Sequence, residues 1–245
     1  MTIFPVYLKV LGADFTMEKL SRSEVINLIN KTGDCSGYDL SGLNLSSLDL
    51  IGARFNRCNL KGSDLSKSNM SMSEFEEADL SGCDMNTSNF AGSIFRKANL
   101  EKSDLTFSSF IGADFSEANL READFTNSRM SCAIFVKADL SGANLRMTEA
   151  VLINMAGANL QKVNGYASVM TGADLSGADL RGSSLHATDL SGANLFSADL
   201  READIVESVL VAANLTNADL RGSNIKATEM ARAKLDGVKS DKEQS

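Results

Sequence analysis

The chain has 245 residues, of which 43% are apolar, so it is long enough and apolar enough for one or two packed domains. Its formal net charge of −8 disfavours a general phosphate-binding surface, and we expect no direct binding of nucleic acid. No apolar run approaches the ~18 residues that span a bilayer, and no basic leader with a cleavage site is present. We therefore expect a cytoplasmic protein without a membrane contact.

The N-terminal region, residues 1–37, is predicted to be a cap that contains one short amphipathic helix at about 21–31. Ser21 or Ser23 could serve as its N-cap, and Gly33 could end it. The apolar residues expected to cover the first coil of the region after the helix are Val25, Ile26, Leu28 and Ile29.

From Tyr38 the sequence becomes a repeat with a period of five. Every fifth residue from Leu40 to Leu235 gives forty positions, and thirty-eight of them are Leu, Ile, Met or Phe. The exceptions are Ala150 and Gly165. Neither a helical period of 3.6 nor a strand period of 2 would place these residues on one side, whereas a chain that turns every five residues points them all inward.

A second period of twenty accompanies the first. The residues twenty apart from Leu40 to Leu220 are all Leu, and five Phe residues stand twenty apart from Phe55 to Phe135. Small residues two positions before each centre also sort by column, with one column of Ser and Thr from Ser68 to Thr228. Four repeats per coil explain this, because residues twenty apart then lie above one another.

These residues, in strings such as ADLSG and ANLRE, resemble the pentapeptide-repeat family, whose motif is A(D/N)LXX. The resemblance implies an all-β solenoid, namely a right-handed quadrilateral parallel β-helix of about ten coils with a short N-terminal helical cap. The β-helix is predicted over residues 38–237. Family members are abundant in cyanobacteria, so the resemblance also implies a bacterial source.

The ends of the solenoid need covers, because an open end of stacked strands invites pairing with another chain. Gly12–Phe15 is in phase with the repeat and could form a partial coil. Residues 238–245 are predicted to be a polar tail without an apolar cap, so a second copy of the chain could cover the last coil.

The repeat is irregular from Thr148 to Tyr166. In one interpretation, the bulky Ile153 and Val163 refill the volume lost at the exceptional centres. In the other, the segment bulges and presents Leu152 and Tyr166 to a partner.

The sequence offers no catalytic, cofactor-binding or metal-binding residues, and the predicted protein is not an enzyme. His186 is the only histidine, and it has no second metal ligand or base near it. Cys58 and Cys83 fall at inward positions, whereas Cys132 is expected at the surface. The Asp and Asn columns are expected to bond the backbone at the corners.

The side that carries the Ser/Thr column has few outward charges and is the predicted site for a protein partner of unknown identity. A second copy of the chain could also bind there or at the coil end. The candidate residues are Ile51, Ile111, Val151, Val169, Val209 and Val211. Isolated surface valines that merely suit β-structure are the alternative interpretation.

A different function is implied by some members of the family, which imitate DNA and inhibit or protect DNA gyrase. The rod shape and the charge of −8 fit this alternative. The charge is nevertheless spread over all four sides, and Arg121, Arg181, Arg201 and Arg221 form a basic column beside the aspartates. The aromatic, helical C-terminal module through which the quinolone-resistance members dimerise has no counterpart after Leu235. A non-enzymatic protein-binding solenoid, with a regulatory role as one option, is therefore the first hypothesis.

Overall fold

A computed structural model describes residues 17–241, and it begins with one helix. Helix α1, Arg22–Thr32, has Ser21 as its N-cap, where the backbone N–H of Ser21 donates to Glu24 Oε2 at 2.7 Å. Gly33 ends the helix with φ 69°, a left-handed conformation that glycine adopts without steric cost. Val25 is buried, and Leu28 and Ile29 pack against the core. The partial coil predicted at 12–15 lies outside the described residues.

After α1 the chain winds into a four-sided right-handed parallel β-helix, which confirms the predicted fold class. Every bridge in residues 17–241 is parallel and joins residues twenty apart, from Lys19 with Asp39 to Asp219 with Lys239. Each side contributes a single bridged residue per coil rather than a long strand. Glu24 and Ile29 have no bridge because α1 replaces two sides of the first coil.

The ladder extends beyond the predicted limits of 38–237 in both directions. Asp34 pairs with Arg54 before the leucine pattern begins, and Lys239 pairs with Asp219 inside the segment that was predicted to be tail. Backbone pairing does not require a leucine, and the buried Leu20 and Cys35 already stand in phase with the later centres.

A tight turn forms each corner. At most corners the residue two positions before a centre donates its N–H back to the preceding centre, as Ala98 does to the carbonyl of Phe95 at 3.0 Å, whereas the N–H of Ser88 donates to Ser108 Oγ. The second residue of the turn has a positive φ, for example 68° at Gly92 and 57° at Lys97. These corners send all the centres inward.

The interior is a stack of side chains in columns. Rings of the column from Phe55 to Phe135 lie parallel, with centroids 5.2, 4.9, 4.6 and 4.7 Å apart. Phe90, Phe110 and Phe125 meet them edge to face. These contacts add to the hydrophobic stabilisation from burial.

The irregular segment does not bulge. Glu149 pairs with Val169 and Asn164 pairs with Ser184, so the coils continue without interruption. Ile153 and Val163 are buried, as compensation for the small centres requires. A Cβ atom on Gly165 would lie 3.0 Å from Leu185 Cδ2, which shows that the neighbouring coil has closed over the glycine.

Candidate functional site

Two opposite sides of the solenoid differ in their outward residues. The all-Leu side has the inward column Leu40 to Leu220, and the Ser/Thr side has the small column Ser68 to Thr228. We call the outward residues midway along the Ser/Thr side, from Asp49 to Glu229, its floor. In each coil, the turn residues that come before this side along the chain form its first rim. The turn residues that come after it form its second rim.

The residues predicted to bind a partner lie partly on the floor and partly on the second rim. Val169 and Val209 lie on the floor, where they bridge to Glu149 and Asp189 of the preceding coils. The remaining candidates lie on the second rim and are Ile51, Ile111, Val151 and Val211. Ile51 is 56% exposed, whereas Ile111, Val151 and Val211 are half-buried between neighbouring coils.

The Ser/Thr side carries most of the exposed large hydrophobic side chains. In residues 17–241 there are eleven such side chains, and seven of them lie on this side or its rims. The seven are Ile51, Met72, Phe107, Met147, Leu152, Tyr166 and Val169. Because large exposed apolar groups gain by burial, this concentration makes the Ser/Thr side the candidate surface of the chain.

Four of these residues also occupy a backbone conformation that disfavours them. Met72, Phe107, Met147 and Leu152 have φ between 55° and 59°, and they are 55% to 72% exposed. They are the only large apolar residues with positive φ in the described chain. A left-handed residue with a side chain costs roughly 1–2 kcal/mol, and side chains that stay more than half exposed recover only part of this cost through burial.

Leu152 and Tyr166 lie on opposite rims and do not form one site. Leu152 extends over Gly172 of the next coil, where an added Cβ would lie 2.8 Å from Leu152 Cδ2. The ring of Tyr166 is sandwiched: the guanidinium of Arg146 lies 4.9 Å from its centroid, and the ring of His186 stacks on its other face at 5.6 Å. The exposure of Tyr166 therefore lies at its edge.

His186 is only partly exposed. Its side chain is 30% exposed, and Nε2 lies 3.5 Å from a carboxylate oxygen of Glu207. The Tyr166 ring and this carboxylate account for its position, and no group of three or more His, Cys, Asp or Glu residues in the described chain could hold a metal ion.

Five of the ten floor residues are charged, namely Asp49, Arg129, Glu149, Asp189 and Glu229. At the centre is an ion pair between Arg129 and Glu149 of successive coils, 3.5 Å apart, with both side chains more than half exposed. Asp189 accepts hydrogen bonds from the backbone N–H of Ser191 and from Thr171 Oγ1. These bonds hold the pKa of Asp189 below its usual range against the opposing effect of burial.

The all-Leu side is organised differently. Its aspartates and asparagines accept the backbone N–H two residues ahead, as Asp79 Oδ1 does from Ser81 at 3.0 Å. Near the C-terminal end, arginines alternate with the carboxylates, and Arg201 reaches Asp199 at 2.6 Å and Asp219 at 4.0 Å. The polar groups of this side are therefore paired within the chain.

The thiols are distributed as predicted. Cys58 and Cys83 are buried, and burial raises the pKa of the first to about 11 and that of the second to about 12. Cys35 is buried as well, whereas Cys132 is exposed on the second rim. Buried thiols with a raised pKa carry little of the reactive thiolate.

Three residues of this surface escaped the sequence analysis, namely Met72, Phe107 and Met147. Each is the second residue of its turn, and Met72 stands in the column where other coils have glycine, such as Gly52 and Gly92. That preference was the available signal, because a large apolar residue at a position suited to glycine is unexpected.

Known proteins match the chain in sequence and in fold. The profile of the pentapeptide repeats matches in eight copies, over residues 34–71, 73–106, 108–146, 152–186, 173–210 and 198–239. Among curated protein sequences there is no significant match. In the described residues, no helix has the length and apolar character needed to cross a membrane.

Solved structures show the same fold. HetL, a pentapeptide repeat protein involved in heterocyst differentiation regulation from the cyanobacterium Nostoc sp. strain PCC 7120, is 26% identical with a TM-score of 0.61, and the match covers 89% of this chain and 96% of HetL. QnrB1, a plasmid-mediated fluoroquinolone resistance protein, is 22% identical with a TM-score of 0.46, over 82% of this chain and 95% of QnrB1. The repeat matches extend along most of the coiled region, and this chain belongs to the pentapeptide-repeat family.

Proposed function

We propose that this chain is a non-catalytic binding protein that docks a protein partner on its Ser/Thr side. The observation that carries this proposal is the set of four large apolar residues at positive φ on the two rims. Glycine would be more favourable for folding at each of these positions. Side chains that lower stability and remain exposed are best explained by contacts made in a complex.

A regulatory role is consistent with the likeness to HetL, which is involved in heterocyst differentiation regulation. The proposal assigns no reaction to the chain. Two depressions of the described surface are open grooves, one of them lined by Gln161, Arg181 and Arg201.

The alternative of DNA imitation with DNA gyrase as the partner has less support. The acidic columns that would imitate phosphates are paired with arginines, as in Asp179 with Arg181 and Asp219 with Arg221. A supercoiling assay with purified protein tests this alternative directly. Inhibition of gyrase, or protection from a fluoroquinolone, would favour imitation over the apolar docking surface.

The docking proposal is tested by replacing rim residues with glycine. The variant Met147→Gly with Leu152→Gly removes apolar surface while relieving two left-handed side chains, so its melting temperature should stay unchanged or rise. Immobilised wild-type chain should retain a defined set of proteins from an extract of the source cells, and the variant should lose them.

The matched control is Lys162→Gly with Glu202→Gly, which changes two positive-φ residues at the corner after the all-Leu side. This control should retain the same proteins as the wild-type chain. Equal retention by the Met147→Gly, Leu152→Gly variant would refute docking on the Ser/Thr side.

A further inference from the structure

We propose that the partner of the Ser/Thr side is a second copy of this chain, bound face to face with the rods antiparallel. The inference rests on the proposed function, since it names the molecule that covers the same surface. It follows from the order of charges and side-chain sizes along the floor and the rims.

The arrangement of charges excludes a parallel pair. If two copies met with their rods parallel about a two-fold axis along the rods, each floor residue would face its own counterpart. Arg129, Glu149 and Asp189 would then each meet a like charge, which is unfavourable in a contact surface.

An antiparallel pair that uses the whole side has its axis at the midpoint of the floor. That midpoint lies between Arg129 and Glu149, because the floor runs from Asp49 to Glu229 in steps of twenty. Arg129 and Glu149, already joined within one chain at 3.5 Å, would meet the same two residues of the second copy, with Arg129 of each copy facing Glu149 of the other. The result is a ring of four alternating charges.

The rims match in the same register. On the first rim, Lys67 falls opposite Glu207, and both are exposed. Large residues also fall opposite smaller ones across the interface: Phe107 opposite Ala167, Met72 opposite Ala212, Leu152 opposite Cys132 and Met147 opposite Asn127. The like-charged match, Asp49 opposite Glu229, lies at the two open ends, where Lys226 and Arg232 stand in the same coil as Glu229.

The size of the surface sets the strength of association. Ten floor residues spaced ~4.8 Å apart span about 43 Å, and three extended residues across each side give a width of about 10 Å. Several hundred square ångströms per copy is below the ~800 Å² of a standard interface. The dimer is therefore reversible and depends on protein concentration.

A cross-linking experiment fixes the register. Ser71 and Val211 are opposite each other in the antiparallel pair, whereas within one chain they are seven coils, or about 34 Å, apart. In a Cys132→Ser background, Ser71→Cys combined with Val211→Cys should give a covalent dimer with a short bis-maleimide, and neither single variant should. A dimer from Ser71→Cys alone would contradict the antiparallel register, and absence of any covalent dimer would also overturn the proposal.

Exchange of the central charges supplies a second test by sedimentation over a concentration series. Arg129→Glu should weaken self-association by about tenfold or more, because two symmetric contacts become repulsive. Adding Glu149→Arg should restore it. The control exchange is Arg57→Glu with Glu77→Arg, a similar pair of successive coils at another corner, joined at 2.8 Å, which should leave association unchanged.

The two proposals fail separately. A chain that is monomeric at every concentration overturns the dimer but leaves docking of another protein to be judged by the glycine variants. Failure of the double exchange to restore association, while the single substitution weakens it, likewise excludes the alternating ring.

Discussion

The all-Leu side and the Ser/Thr side share one backbone and differ in where their polar groups find partners. On the all-Leu side, outward carboxylates bind turn N–H groups and arginines of neighbouring coils, as Asp199 does with Arg201. The Ser/Thr side makes some bonds of this kind, as Asp189 does with Ser191, but it also has inward hydroxyl groups: Ser108 Oγ donates to the carbonyl of Met85 of the preceding coil at 2.8 Å.

This difference separates folding from binding. Where outward groups are satisfied within the chain, little is left for a partner to gain. Where inward hydroxyls take part in the stability of the turns, the outer surface can carry exposed apolar residues such as Phe107 and Leu152. The repeat tolerates this because its ladder and core do not depend on outward residues.

The largest expected effect is a loss of stability on substitution of a core residue, and it compares the cores beneath the two sides. Phe110, under the Ser/Thr side, stacks on Phe90 at 5.4 Å and meets Phe115 edge to face at 5.5 Å. Phe110→Ala should lower the free energy of unfolding by about 3–5 kcal/mol, because it leaves a large cavity and removes ring contacts. Urea denaturation monitored by circular dichroism measures the change.

The matched substitution on the other side is Leu120→Ala, at an equally buried centre of the all-Leu column. It removes a smaller side chain and no ring–ring contact, so its cost should be lower by about 1 kcal/mol. Equal costs would mean that the aromatic columns add nothing beyond the volume that they fill.

A smaller effect is expected from the buried hydroxyls. Ser108 Oγ accepts the N–H of Ser88 at 2.9 Å and donates to Met85, so it bridges a turn of the preceding coil. Ser108→Ala should cost about 1–3 kcal/mol because both backbone groups lose a buried partner. Thermal unfolding monitored by calorimetry measures this cost.

The control for this prediction is Ser103→Ala. Ser103 Oγ donates to the carbonyl of Leu100, which also accepts the backbone N–H of Ser103, so that carbonyl keeps a partner after substitution. If Ser108→Ala proves as mild as the control, the turn that Ser108 bridges must close by its own backbone hydrogen bond. Ala118 closes its turn in this way beneath the all-Leu side, by donating its N–H to the carbonyl of Phe115.

The sequence predicts the fold of this chain further than its surface. The period of five with a period of twenty requires a coil of four sides, so the burial of Leu120 or Phe95 follows from counting alone. The ladder at Asp34 and Lys239 was missed because backbone pairing leaves no mark in the side chains. The helix was anticipated to within one residue at each end, since Ser21 and Gly33 carry their own conformational preferences.

The candidate surface was predicted only as a weakly charged side with scattered β-branched residues. The sandwich of Arg146, Tyr166 and His186 depends on side-chain rotamers of three coils, which a single sequence does not fix. The rim residue Met72 could have been found, because other coils have glycine at the same corner, as at Gly52 and Gly92.

The smallest expected effect compares an arginine on the all-Leu side with one at the edge of the Ser/Thr side. Arg221 binds Asp219, and the hydrogen bond lowers the pKa of that carboxyl to about 2. Since the unfolded value is about 3.9, the stabilisation is present above pH 4 and is lost as the pH falls from about 4 towards 2. Arg221→Gln should therefore cost less than about 1 kcal/mol at pH 7, as exposed pairs do, and nothing near pH 2.

Arg232→Gln, at a corner of the Ser/Thr side where the described residues provide no ion pair, should keep the melting temperature of the wild-type chain at each pH between 2 and 7. A cost for Arg221→Gln that persists at pH 2 would show that its side chain stabilises the coil by packing rather than by charge.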